Sequence, residues 1–295
     1  MPADNTVYDD LAHTWWDEEA FLHLLRSAFN ARFDYYVGVL ERTGVLERAT
    51  GLGGRRPSAL DVGCGGGLLL DQFHGAGLQV TGIDPAHAGL LTAAAVTRER
   101  GVRAGLVQAV GERLPFADAS FDVVYCCDVL EHVASVDAVV GEAARVLRPG
   151  GLFLFDTLNR TWRGWFGAIL LAQEWSATAF MPRGLHGWDM FVRPPEVRAA
   201  VARHGLVPGG ITGLGPAGGY PGYARMIWCL RQRAAGRISF AEMSRRVPYV
   251  TTRDISIAYA GWAVRPADRH PAGPAEAAAA TMRPASSTRA GSSVS

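Results

Sequence analysis

Apolar residues recur along this chain first with a helical period and then in short runs. Within residues 7–48 they are spaced three and four positions apart, which predicts helices; the clearest are Phe21, Leu24, Leu25, Phe29 and Phe33. Residues 51–57 form a turn-rich break. Beyond it the pattern predicts strands at 59–62, 79–83, 103–108, 121–126 and 151–156, with helices at 68–74, 90–100 and 137–147. Strands that alternate with single helices are typical of βαβ units and a parallel sheet.

The pattern changes after Asn159. Residues 160–200 hold aromatic and amphipathic stretches, and the remainder predicts a strand at 206–214, a loop at 215–222, a helix at 223–247 and a last strand at 254–264. Residues 266–295 are Ala, Pro, Ser and Gly with hardly any large apolar residue. Such a segment cannot bury enough surface to offset its ordering entropy, so we expect it to be disordered. Residues 1–265 are therefore predicted to form the folded domain.

Composition narrows the classes of function. The 295 residues are 48% hydrophobic and 19% charged, enough for a full core, and the formal net charge of +1 gives no footprint for nucleic acid. The first ten residues do not resemble a signal peptide, and the four cysteines show no disulfide framework, which together favour a cytoplasmic protein. No apolar run reaches the roughly 18 residues that a membrane span needs.

The first two predicted strands end in residues suited to a nucleotide-like ligand. Asp61 and a run of glycines follow the first strand, and Asp84 ends the second. Glycines allow close approach of the backbone to a ligand, and a carboxylate in this place can accept hydrogen bonds from both ribose hydroxyls. Leu68 stands where a dinucleotide motif has its third glycine. A tight turn without a ligand is the alternative interpretation.

Several motifs together resemble the class I S-adenosyl-L-methionine (SAM) methyltransferases. They are DVGCGGG at 61–67, Asp84, LPF at 114–116, FDVV at 121–124 and LRPGG at 147–151. The resemblance implies an α/β, Rossmann-like fold whose seven strands have the order 3-2-1-4-5-7-6, with the last strand antiparallel. It also implies SAM as methyl donor, S-adenosyl-L-homocysteine as product, and a cofactor site that includes Asp61, Gly63, Gly65, Asp84, Pro85, Gly111, Glu112 and Cys127. Val110 stands where many relatives have an aspartate that meets the adenine amine, so adenine is expected to be held by backbone groups and apolar walls.

A narrower resemblance is to the ubiquinone-biosynthesis O-methyltransferases, which methylate catechol-type hydroxyls of polyprenyl quinol precursors. It rests on WWD at 15–17, NAR at 30–32, LEHV at 130–133, TLNRT at 157–161 and PRGLH at 182–186. It implies a small aromatic or quinol-like acceptor, and it places Arg32 against the SAM carboxylate; a surface position is the alternative for Arg32. The similar family has only a short connection where this chain has residues 215–250. We therefore expect an insertion there and a changed acceptor, such as an aromatic natural product.

Asp128, Glu131 and His132 follow the fourth predicted strand. Their spacing places all three on one helical face. They could hold a divalent metal (Mg, Mn, Fe or Zn), as the family resemblance favours, and a metal would lower the pKa of a catechol hydroxyl. Alternatively, His132 is a general base oriented by a carboxylate, or the cluster is structural. His186 is a second candidate base or ligand.

Residues 160–200 are predicted to form a helical lid over the active site. Their dense aromatic side chains have three interpretations: ordinary packing, an apolar wall for the acceptor, or contact with a membrane surface. O-methyl transfer is the leading prediction for the whole chain. Methylation of nitrogen or carbon, and a SAM-binding partner protein without catalysis, are the alternatives.

Overall fold

A mixed eight-stranded sheet organises the structure, a computed structural model that describes residues 6–47 and 55–267. Its strands are β1 Ser58–Val62, β2 Gln79–Asp84, β3 Ala104–Gln108, β4 Phe121–Cys126, β5 Leu147–Leu158, β6 Val207–Pro216, β7 Tyr249–Thr252 and β8 Ala258–Val264. Their spatial order is β3-β2-β1-β4-β5-β8-β6-β7. The strands from β3 to β5 are parallel, whereas β8 is antiparallel to both β5 and β6. The α/β fold and its antiparallel last strand are thus confirmed.

The prediction of seven strands misses β7, which pairs antiparallel with the outer side of β6. Pro248 stands immediately before β7, and Val250, Thr251 and Thr252 are β-branched residues that favour strands. The predicted helix at 223–247 is in fact two helices, because Gly236 adopts a left-handed φ of 68° between them. The last strand begins at Ala258, four residues later than predicted from position 254.

The helices are α1 Thr6–Asp10, α2 Leu22–Thr43, α3 Leu68–Gly75, α4 His87–Glu99, α5 Val136–Val146, α6 Pro194–Arg203, α7 Tyr220–Ala234 and α8 Phe240–Arg246. Between β5 and α6, a short helix at Trp162–Gly164 continues as a π-helix at Trp165–Glu174, and these two pieces form the lid helix. The predicted tail at 266–295 lies almost entirely outside the described residues.

Apolar side chains cover both faces of the sheet, as is typical of the parallel part of α/β sheets. Val124 and Phe153 lie on one face with α5 and α6, whereas Val123, Tyr125 and Leu154 lie on the other with α2, α3 and α4. Successive residues of a strand point to opposite faces, so β4 and β5 supply both cores. The carboxyl ends of β1, β2, β4 and β5 meet at one edge, and this edge carries the predicted site residues.

Candidate functional site

One cavity of about 470 Å³ is lined by all the residues that the sequence analysis predicts for the site. It is lined by Arg32, Asp61, Gly63, Gly65, Asp84, Pro85, Gly111, Glu112, Cys127, Asp128, Glu131, His132 and His186. These residues come from α2, the strand ends and the lid region, so only the fold brings them together. Their individual roles stay predictions.

The glycine loop after β1 is covered by Trp15. A Cβ on Gly65 would stand 2.5 Å from the Trp15 ring, and one on Gly66 would stand 2.4 Å from it. Gly63 and Gly65 also have positive φ angles of 76° and 48°. Trp16 donates its Nε1 hydrogen to the carbonyl of Gly66 at 2.9 Å. The loop therefore requires glycine for two reasons: its positive φ angles disfavour other residues, and the Trp15 indole leaves no room for a Cβ atom.

Asp84 fixes the loop from the end of β2. The backbone N–H of Gly65 donates to Oδ2 and that of Ala86 donates to Oδ1, both at 2.8 Å. Burial raises the pKa of Asp84, and these two hydrogen bonds oppose the rise. Each carboxylate oxygen retains lone-pair capacity directed at the cavity. Asp61 is buried nearby, and burial raises its pKa well above the usual range.

Asp128 and Arg32 form an ion pair in the wall of the cavity, in which Arg32 is buried and Asp128 is half-buried. Arg32 Nη1 lies 2.8 Å from Asp128 Oδ2 and 3.2 Å from Asp156 Oδ1. Asp156, at the end of β5, also accepts hydrogen bonds from the Asp128 backbone N–H at 2.9 Å and from the Tyr36 hydroxyl at 3.1 Å. Burial alone would raise the pKa of Asp128, but the guanidinium outweighs it and the pKa falls below its usual range.

Glu131 is held in a different electrostatic state from Asp128. It is buried, and its Oε2 accepts a hydrogen bond from the Thr157 hydroxyl at 2.8 Å. Burial raises the pKa of Glu131, and the charge of Asp128 raises it further. The two neighbouring carboxyls therefore divide into one that stays ionised and one that favours its neutral form.

His132 and His186 face each other across the cavity with ring centroids 4.9 Å apart. His132 Nε2 lies 3.1 Å from the hydroxyl of Tyr8, and the Nδ1 atoms of both histidines are buried with no hydrogen-bond partner among the described residues. The backbone N–H of His186 donates to Gln173 Oε1 at 2.9 Å, which ties that loop to the lid helix. Burial lowers the pKa of His132 to about 4 and that of His186 to about 3, so both imidazoles are neutral near pH 7.

The predicted metal ligands do not form a ligand set as they are arranged. Asp128 is directed at Arg32, Glu131 at Thr157, and His132 at Tyr8. Within residues 6–47 and 55–267, no group of three His, Cys, Asp or Glu side chains has an arrangement that could hold a metal ion. The metal prediction is therefore not confirmed.

The lid region walls the cavity through small and aliphatic residues, not through most of its aromatics. Leu171, Ala172, Phe180, Met181 and Leu185 line the cavity. Phe191 is buried, whereas five other large aromatics of this region are exposed to solvent by 39–70%: Trp162, Trp165, Phe166, Trp175 and Trp188. An acceptor wall is the wrong interpretation for these five, because their side chains face outward.

Comparison with known proteins places the chain in a family. A family model described as a methyltransferase domain matches residues 60–155. A ubiquinone biosynthesis O-methyltransferase of Methylobacterium nodulans is 37% identical over 224 residues, covering 72% of this chain and 85% of that protein. A protein of the same name from Vibrio cholerae is 35% identical over 214 residues, covering 72% of this chain and 82% of its own. The chain belongs to the ubiquinone biosynthesis O-methyltransferase family.

This O-methyltransferase family member is accordingly a SAM-dependent methyltransferase. A SAM-dependent methyltransferase of Thermotoga maritima superimposes with a TM-score of 0.53 at 13% identity, covering 88% of this chain and 99% of that one. At this identity the superposition supports the fold alone. In the part of the chain that the structure describes, no helix is long and apolar enough to cross a membrane.

The structure of this family member adds cavity-facing residues that sequence reasoning missed. Tyr8, Asp156 and Tyr249 line the cavity. Asp156 follows an apolar run in β5 and so had a signal in the sequence, namely an acid at a strand's carboxyl end. Tyr8 and Tyr249 had none, because their positions depend on how α1 packs and on the pairing of β7 with β6.

Proposed function

We propose that this chain transfers the methyl group of SAM to a hydroxyl of a small phenol, catechol or quinol. The observation that carries the proposal is the cavity itself, which brings a glycine loop and Asp84 together with Asp128, Glu131 and His132. The names of the relatives, which specify O-methylation, support the same assignment. In this reaction a C–O bond forms as the S–CH3 bond breaks, and the hydroxyl proton must leave. S-adenosyl-L-homocysteine is the second product.

Asp84 is proposed to hold the ribose of SAM. Its oxygens each accept one backbone hydrogen bond and can each accept one more from a ribose hydroxyl. Gly63 and Gly65 then let the methionine part pass close to the backbone. Arg32 is proposed to meet the SAM carboxylate, since it lines the same cavity and guanidinium–carboxylate pairs are bidentate. Pro85, Gly111, Glu112 and Cys127 enclose the adenine in this arrangement.

His132 is proposed to accept the proton from the acceptor hydroxyl. Its imidazole is neutral, so it can take a proton, and the negative charge of Asp128 favours the protonated ring. The methyl donor is already activated as a sulfonium, so correct placement of the hydroxyl against it supplies most of the rate. His186 and the neutral form of Glu131 can donate hydrogen bonds that orient the acceptor.

A divalent metal is a second candidate for activating the acceptor. Two observations favour it: the charge of Asp128 lies close enough to raise the pKa of Glu131, and His132 Nδ1 is buried with no hydrogen-bond partner within residues 6–47 and 55–267. The carboxylates would have to leave Arg32 and Thr157 to serve as ligands. His132 is therefore the favoured group for removal of the hydroxyl proton.

Incubation with SAM and a panel of phenols, catechols and quinols is expected to yield methyl ethers and equimolar S-adenosyl-L-homocysteine. Mass spectrometry of both products checks this. The same assay in excess chelator separates the two modes of activation, because persistence of turnover supports His132 alone, whereas loss that added Mg, Mn, Fe or Zn restores supports a metal. Methylation confined to amines or carbon nucleophiles would refute the O-methyl assignment.

We further propose that the lid contacts membrane surfaces. Trp162 is 70% exposed and Trp165 42% exposed, and Arg160, Arg163 and Arg183 lie along the same segment. Exposed indoles flanked by cations are typical of interfacial segments that bind anionic lipid.

The protein is accordingly expected to co-sediment at low salt with vesicles that contain phosphatidylglycerol. The double substitution Trp162→Ser and Trp165→Ser should reduce the bound fraction several-fold, because burial of an aromatic side chain contributes about 1.5–3 kcal/mol. Leu91→Ser is the matched control, since Leu91 is 59% exposed on α4, away from the lid. An equal loss in both variants, or no binding by the unaltered protein, contradicts the proposal.

A further inference from the structure

The insertion forms the far wall of the cavity. Its helix α7 contributes Tyr223, Met226 and Leu230, which are spaced three and four residues apart and so share one face. Helix α8 contributes Met243 and Val247 with a spacing of four. Strand β7 adds Tyr249. The residues 215–250 that set this chain apart in sequence therefore face the same space as Asp128 and His132.

The residues of this wall pack against other apolar side chains of the protein. Leu230, Met243 and Val247 are 3–4% exposed, and they pack in one cluster with the fully buried Cys229. Phe180 of the lid and Leu24 of α2 pack against the same cluster. The inner faces of α7 and α8 are thus part of the protein interior, and side chains on these faces line the cavity.

The chemistry of the wall is apolar and uncharged. Its surface consists of two thioethers, two aliphatic side chains and the two tyrosines. The hydroxyl of Tyr249 lies 3.7 Å from Met226 Sδ. Burial raises the pKa of Tyr249 to about 12, so its hydroxyl is neutral. A surface of this kind binds an apolar group and has no partner for a charged one.

We propose that the insertion is the acceptor's apolar subsite, in which Met226, Leu230, Met243 and Val247 limit the size of a compact alkyl or fused-ring substituent on the phenol. The proposal rests on the proposed function, since it assumes that a phenolic acceptor occupies the cavity. Removing bulk from this wall should lengthen the substituent that fits, because the wall and not the catalytic end sets the limit.

The test measures equilibrium binding of 4-alkylcatechols, from methyl to dodecyl, to the full chain loaded with S-adenosyl-L-homocysteine. For the unaltered protein, affinity should rise with chain length to a short limit and then fall. Met226→Ala and Leu230→Ala should each move the limit to longer chains and change the long-to-short affinity ratio by about 10-fold or more, the scale of a methylene in a hydrophobic pocket. Trp228→Ala is the matched control on the outer side of α7, where Trp228 is 49% exposed.

Met226→Trp covers the case in which the alanine variants fail to fold, because it should shorten the limit. An unchanged limit in the folded Met226 and Leu230 variants overturns the proposal, as does an equal shift in Trp228→Ala. Tightest binding of dodecyl catechol by the unaltered protein also overturns it.

The binding measurement does not depend on turnover. A shifted limit without methyl transfer to any of these catechols would keep the subsite and reject the proposed reaction. Methyl transfer with an unshifted limit would do the reverse.

Discussion

His132→Gln is expected to lower kcat by about 10²–10⁴-fold, the usual contribution of a positioned general base. Glutamine can still hydrogen-bond to the Tyr8 hydroxyl, which lies 3.1 Å from His132 Nε2, but it cannot take a proton. The affinity for SAM should stay within a few-fold, because the contacts proposed for SAM are made by Asp84 and the glycine loop and not by His132. Single-turnover rates and SAM titration separate the two effects.

His74→Gln is the matched control for this variant, since His74 lies in the last turn of α3 and does not line the cavity. It should leave kcat unchanged. Retention of full kcat in His132→Gln would show that His132 does not move the proton.

The pH dependence gives an independent check of the same assignment. Burial lowers the pKa of His132 to about 4, so the ring is a neutral base above that pH and is protonated below it. The acid limb of kcat/KM, which reports the free enzyme, should therefore lie near pH 4 and not near the ordinary histidine value of about 6.5. His132→Gln should lose this limb. A limb near pH 6.5 would mean that the imidazole is more hydrated, or closer to a negative charge, than the structure shows.

The sequence was sufficient for the parts of the site that local motifs encode. The glycines after β1 and the acid that ends β2 obey rules of backbone access and strand topology, so Gly63, Gly65 and Asp84 could be located without a structure. In such a turn, glycine indicates a positive φ angle or a close approach of other atoms to the backbone. The same holds for the parallel strands, whose apolar runs are continuous because both faces are buried.

The rest depended on contacts between distant segments. Asp128 and Arg32 were both predicted to be site residues, but the sequence did not predict their ion pair, because they lie 96 positions apart in the chain. This ion pair directs the Asp128 carboxylate at Arg32 and not at a metal site. Likewise, an aromatic-rich segment has the same composition whether its rings face a cavity or solvent. Only packing showed that Phe180 lines the cavity whereas Trp162 is exposed.

Residues 215–250 are predicted to be an insertion with a single helix at 223–247, but the structure has two helices in this stretch. The stretch 223–247 has a helical period and predicts one helix, whereas Gly236 and the capping Ser239 divide it into two. Ser239 Oγ accepts a hydrogen bond from the Glu242 backbone N–H at 3.0 Å, which marks the start of α8. The break at Gly236 separates α7 from α8, and side chains of both helices line the cavity.

Asp84→Ala is expected to weaken SAM binding by at least about 100-fold, since each hydrogen bond to a charged group contributes about 1.5–3 kcal/mol and the ribose offers two hydroxyls. The substitution also leaves the N–H groups of Gly65 and Ala86 without their 2.8 Å acceptor, so the glycine loop should loosen beneath Trp15. Isothermal titration with SAM and with S-adenosyl-L-homocysteine measures the loss.

Asp71→Asn separates cofactor binding from a general charge effect. Asp71 is a partly exposed carboxylate of α3 that pairs with Arg100, and it does not line the cavity, so its loss should leave SAM affinity unchanged. At saturating SAM, Asp84→Ala should recover most of kcat, because ribose contacts are equally strong in the ground and transition states. A fall in kcat with unchanged SAM affinity would contradict the proposed contact of Asp84 with the ribose. It would mean that Asp84 only supports the glycine loop through its two backbone hydrogen bonds.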